Sequence, residues 1–159
     1  MGFFSDLKKN ITGGWADLTM TTQPAERGGV ARLTLHLSVK DDPIDVSKIE
    51  ARVRCQEIVQ VQTSRTTTTP GTNGAPPRTS TSPTTQSETE TLFSQNVIVA
   101  PARTFEGGTQ ETFEVEVPLP THAPPSLVGR NARFEWQAYA SVDMKGNDPD
   151  TGWQTFEVR

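Results

Sequence analysis

Three aspartates near the C-terminus come closest to a site in this sequence. Asp143, Asp148 and Asp150 crowd the run KGNDPDTG at residues 145–152. Carboxylates on a tight loop are the ligands a hard cation such as calcium takes. The run does not keep the EF-hand order D-x-[DN]-x-[DN]-G followed by Glu, and Asp, Pro and Gly are equally turn formers. Glu114 and Glu116 are a second pair of carboxylates, of the kind that cleaves glycosidic bonds. They alternate with Phe113, Val115 and Val117, so they fall on the wet side of a strand, where solvated glutamates are expected. Cys55 is the single cysteine, so no internal disulfide is possible. It shares parity with Ile49, Ala51 and Val53, away from Arg52 and Arg54, which predicts a buried apolar group rather than a reactive thiol. His36 lies on the polar side of a strand pattern and His122 in a proline-rich turn; with Cys55 they are too few for a zinc site. There is no G-x-S-x-G, P-loop, G-x-G-x-x-G or Cys/His pair. The expectation is a protein without enzymatic activity, cofactor or metal.

Residues that could bind a partner are more apparent. Phe3, Phe4, Leu7 and Ile11 fall at helical spacing and predict a short amphipathic helix over residues 1–12, ended by Gly13-Gly14. Such a helix either plugs an open end of the fold or docks on a partner. Only Lys8 and Lys9 supply basic charge, so membrane contact is at most weak. N-myristoylation calls for Ser or Thr at position 6, where Asp6 stands. Trp153 alternates opposite to Phe156, so it is expected to be exposed, either as a stacking platform beside Tyr139 or as a cover for the rim. The candidate partner-binding residues are therefore Phe3, Phe4, Leu7, Ile11 and Trp153.

Charge narrows the partner classes. With 15 Lys and Arg against 19 Asp and Glu, the net charge is −4, and the pI is about 5.2. Phosphate neutralisation needs a basic face, and none is visible, so no nucleic acid is expected. No apolar run reaches the roughly 18 residues of a membrane span, and no secretory signal pattern opens the chain. A cytoplasmic protein is expected.

The elements that would carry these residues read as strands. A length of 159 residues suggests one domain. Ala16, Leu18 and Met20 share one side of a first strand; Ala31, Leu33, Leu35, Leu37 and Val39 share one side of a second. Asp41-Asp42-Pro43 breaks the sheet. Residues 49–61 form a long strand whose parity slips at Ile58, Val59 and Val61, which predicts a bulge or change of face there. Its expected partner is residues 88–100. Residues 109–142 read as strand, proline-rich turn, strand: Phe134, Trp136, Ala138, Ala140 and Val142 alternate with Glu135, Gln137, Tyr139 and Ser141. Residues 153–158 close the sheet. The fold class is all-β, a two-sheet antiparallel β-sandwich over residues 13–159. Residues 62–87 are nearly all Thr, Ser, Pro, Gly and Asn, with Arg65 and Arg78 the only charges. Without large apolar residues to offset ordering entropy, they are expected to be a disordered tip, open to phosphorylation or partner binding.

These strands meet a known pattern. The run Glu111-Thr-Phe113-Glu-Val115-Glu-Val117-Pro118-Leu-Pro120, then Ala123-Pro-Pro125-Ser126-Leu127, then Phe134-Glu-Trp136-Gln-Ala138-Tyr-Ala140-Ser-Val142-Asp143, resembles the arrestin N-terminal-like fold. The opening Gly2-Phe3-Phe4 with Gly13-Gly14 and a strand resembles the bacterial sporulation-control branch of that superfamily. The resemblance implies two packed antiparallel sheets, no enzymatic activity, and work as an adaptor or scaffold that binds proteins. Family members usually carry two such domains, whereas this sequence accounts for one, so no phosphate-sensing interdomain residues carry over. Partners are then expected to be proteins, or a second copy, joined through sheet edges. The alternative is a β-sandwich that binds a carbohydrate, calcium or another small ligand through Trp153, Tyr139 and the Asp148–Asp150 loop.

Overall fold

The computed structural model describes residues 14–146 and 148–159. The predicted helix over residues 1–12, with Phe3, Phe4, Leu7 and Ile11, lies outside them. The described residues form nine strands: β1 (Ala16–Thr22), β2 (Val30–Val39), β3 (Ile44–Thr69), β4 (Arg78–Ala100), β5 (Arg103–Phe105), β6 (Gln110–Pro118), β7 (Leu127–Val128), β8 (Ala132–Met144) and β9 (Gln154–Phe156). One sheet has the order β1-β2-β6. The other runs β4-β3-β8-β7, with β5 on β3 and β9 on β8. Every pairing between these strands is antiparallel.

Alternation fixes which faces meet. Ala31, Leu33, Leu35 and Leu37 of β2 are fully buried, while His36 faces solvent and approaches Thr112 Oγ1 through Nδ1 at 3.1 Å. In the larger sheet the buried rungs are Cys55–Trp136, Val53–Ala138, Ala51–Ala140 and Ile49–Val142. Small residues there leave room for the leucines of β2, as interdigitating sheets require. Each fully buried leucine contributes about 1.5–3 kcal/mol. Trp136 is the largest fully buried side chain. It lies 5.6 Å from the Phe93 ring and 6.2 Å from that of Phe156, and its Nε1 donates to Pro124 O at 2.9 Å. That bond ties the proline-rich connection to the core, and this connection carries the chain from β6 in one sheet to β7 in the other.

Two expectations change. The parity of β3 does not slip: its register with β8 runs unbroken from Lys48 to Val59, so Ile58 and Val59 fall on opposite faces, and both are half-buried beyond the core. The irregularities fall in β4, at two places: Ile49 pairs Ala100 and Glu50 pairs Ile98, so Val99 is one extra residue. Cys55 pairs Phe93 and Gln56 pairs Thr91, so Leu92 is the other and stays 43% exposed. The larger correction concerns residues 62–87. They are not a disordered tip: the β3–β4 ladder continues rung by rung from Gln62–Thr85 to Thr69–Arg78. Threonine is β-branched and favours extended backbone without needing burial. Thr66 and Thr81 hydroxyls pair at 3.3 Å, and those of Thr68 and Thr79 at 3.4 Å. Asn73 and Gly74, both at positive φ, turn the chain, with Ala75 N donating to Thr72 O at 3.2 Å. Positive φ at both central residues is the signature of a primed turn, and it sits within the connection 70–77 between Thr69 and Arg78. The result is a two-stranded arm, exposed along its length, projecting from the sandwich.

Candidate interaction surfaces

The outer face of the larger sheet carries a polar and aromatic cluster. Arg52 stands opposite Tyr139, and Arg54 opposite Gln137. Arg54 Nε donates to Gln137 Oε1 at 2.9 Å, and its guanidinium lies 3.6 Å above the centre of the Trp153 ring. The Tyr139 and Trp153 rings sit 5.2 Å apart. Gln137 Nε2 donates to Glu135 Oε1, and Glu135 also pairs with Arg133 at 3.3 Å. Arg52 Nε donates to Asn96 Oδ1 at 2.7 Å. Burial first, then Arg52, pulls the Arg54 pKa below its usual value, against an opposing pull from Glu135. Trp153, expected to be exposed, is half-buried with one ring face covered by Arg54. A cation over indole is worth about 0.5–1 kcal/mol at such sites, and a stacking sugar would have to displace it.

Two of the loop aspartates are occupied in holding backbone. Asp148 Oδ1 accepts from Met144 N at 3.0 Å, and Asp150 Oδ1 accepts from Gly152 N at 2.8 Å. Both are turn-forming bonds. Among the described residues, no three His, Cys, Asp or Glu side chains group as a metal would require. Glu114 accepts from Thr34 Oγ1 at 3.0 Å, and Glu116 pairs with Arg32 at 3.0 Å, so these carboxylates make cross-strand contacts on the wet face. Cys55 is buried against Trp136, and burial pushes its thiol up to about 11. His122 is exposed, at a shallow apolar cleft beside Leu92, Phe93 and Pro124.

What remains open is edge and arm. β4 ends the larger sheet, so one side of its backbone has no strand beside it among the described residues. Beyond Val59, where pairing with β8 stops, β3 is likewise paired only with β4. At the other side of the sheet, Leu127 and Val128 are 52% and 86% exposed. Val128 lines a groove of about 270 Å³ together with Phe134, Phe156 and the charged residues Arg133, Glu135 and Glu157. Sequence reading missed the arm, although Asn73-Gly74 sits midway between the paired ends Gln62 and Thr85 and is a strong hairpin signal.

The fold and these surfaces define a two-sheet antiparallel β-sandwich with an extended hairpin. No protein-family model matches the chain, and no curated protein matches it in sequence. Its fold is similar to the crystal structure of Spo0M, a sporulation control protein from Bacillus subtilis. The TM-score is 0.59 at 15% identity, over 92% of this chain and 50% of that one. The likeness is one of fold, and the chain spans half the length of that protein. Among the described residues, no helix is long and apolar enough to cross a membrane.

Proposed function

We propose that this chain is a non-catalytic, protein-binding adaptor or scaffold domain of the arrestin-like kind, with a regulatory role of the sporulation-control type in the bacterial cytoplasm. The observation that carries the reading is the 23-residue β4 at the end of its sheet, unpaired on one side among the described residues. An edge this long offers a row of N–H and C=O groups to an incoming strand. The likeness in fold to a sporulation control protein supports the regulatory part. The engaged carboxylates and histidine and the buried thiol support the non-catalytic part.

The test is to mix the purified chain with the products of genes adjacent to its own and measure mass by light scattering. A stoichiometric complex is expected, with amide exchange slowed along residues 86–99. A chain that stays alone and monomeric with every neighbour would sink the reading.

A further inference from the structure

The arm from Gln62–Thr85 to Thr69–Arg78 holds eight consecutive rungs. Two of them carry an arginine, Arg65 and Arg78, and these are the only charges between residues 58 and 87. Of the 12 prolines in the chain, only Pro70 and Pro83 follow a hydroxyl residue, Thr69 and Ser82. The register brings the two sets together: Arg65 stands directly opposite Ser82, and Arg78 directly opposite Thr69. Six of the eight rungs have neither feature, so the coincidence is a property of the fold and is invisible in linear sequence. Both rungs lie on one face of the ribbon, because they are separated by an even number of residues. All four side chains are exposed.

We infer that Ser82 and Thr69 are phosphorylation sites for a proline-directed protein kinase, with Arg65 and Arg78 receiving the phosphates across the ladder. Directly opposed side chains have Cβ atoms about 4.5–5.5 Å apart, well within reach of a guanidinium–phosphate pair. The hydroxyls nearer the body are in the reverse situation. Ser87 and Thr89 flank Glu88 in sequence, with Glu90 following, so a phosphate there meets like charge. In the step itself, the Ser82 Oγ attacks the γ-phosphorus of a nucleoside triphosphate. The new O–P bond forms as the bond to the β,γ-bridging oxygen breaks, the nucleoside diphosphate leaves, and the hydroxyl proton passes to a base on the kinase. The projecting arm gives such an enzyme access, and β4 presents Ser82-Pro83 in extended form with its outer side unpaired among the described residues. Two phosphates opposite two arginines fasten the ladder at its middle and at its last rung.

The charged groups around each phosphate are few, which makes the test clean. Ser82 faces Arg65, with the hydroxyls of Ser80 and Thr84 on either side along its own strand. Glu88 lies six residues away, roughly 20 Å along the strand and beyond the screening length. The full chain is incubated with ATP and a proline-directed Ser/Thr kinase, and phosphate is mapped by tandem mass spectrometry. Incorporation is expected at Ser82 and Thr69, with one lost in Ser82→Ala and both in the Ser82→Ala/Thr69→Ala pair. In a phosphorus NMR titration the second pKa of the Ser82 phosphate should rise by about half a unit in Arg65→Ala, the size of an exposed ion pair. A chain carrying phosphoserine 82 by semisynthesis gives the same reading without the kinase. No incorporation, incorporation spread over Ser87, Thr89 and other hydroxyls, or a phosphate pKa indifferent to Arg65 would each overturn the inference.

Discussion

The rungs Val53–Gln95 and Thr67–Ser80 belong to one antiparallel ladder, yet they are held by different forces. Val53 is fully buried, with Ala138 of β8 beside it on the other side. Thr67 is exposed, with one neighbouring strand and no covering layer among the described residues. The ladder bonds are the same in both. In the body, burial of side chains between two sheets supplies most of the stability. The arm relies on backbone pairing, exposed cross-strand threonine hydroxyl contacts, threonine's extended preference and the Asn73-Gly74 turn, and an isolated hairpin is marginally stable. The difference teaches that pairing and burial are separate requirements, and that a strand can satisfy the first alone when its turn is right.

Substitutions on the two sides should separate these regimes. The largest effect is expected from Trp136→Ala, which empties the centre of the body and removes the tie to Pro124 O. A loss of about 3–5 kcal/mol in urea unfolding is expected. Gly107 and Gly71 then make a matched pair. A Cβ on Gly107 would meet Asp41 O at 2.1 Å, in the β5–β6 turn of the body. A Cβ on Gly71 would meet Ala75 O at 1.7 Å, at the tip of the arm. Gly107→Ala should cost about 1–3 kcal/mol of global stability, in the range of overpacking.

Cys55 gives a pH signature of the body. Its folded thiol is raised to about 11 by burial, above an unfolded value of about 8.5. The thiol's contribution is therefore complete below about pH 8.5 and is lost as pH rises through about 11. Urea midpoints should fall across that window, more steeply than in Cys55→Ala, and a thiol reagent at pH 8 should label Cys55 only on unfolding.

The smallest effects belong to the arm. Gly71→Ala should change the urea midpoint by less than about 0.5 kcal/mol, as should replacing residues 62–85 by Asn-Gly. Amide exchange should place residues 62–69 and 78–85 among the fastest strand protons and the Cys55–Trp136 region among the slowest. A global stability that dropped several kcal/mol on shortening the arm would break the comparison.

How much of this was legible depended on burial. Ala31 to Val39 and Trp136 to Val142 declare themselves, because a strand with one buried face must alternate in sequence. The inward Cys55 and outward His36 followed from parity alone. Trp153 followed only halfway: parity put it on the outer face, but Arg54, some hundred residues away, decides what covers its ring. The arm was misread because composition argues from burial, and the arm is ordered without it. Its local signal, Asn73-Gly74 between threonine runs, was present.

By itself, then, the sequence determined the all-β class, the face of each core strand and the burial of its single thiol, since these are local consequences of alternation. Tertiary structure decided what alternation cannot encode. The proline-rich connection crosses between sheets instead of closing a hairpin. The bulges fall on β4, at Leu92 and Val99, and not at Ile58. Ser82 and Thr69 stand opposite the two arginines of the arm. All three depend on register between distant strands, which is set by the turn and by the packing of both sheets together.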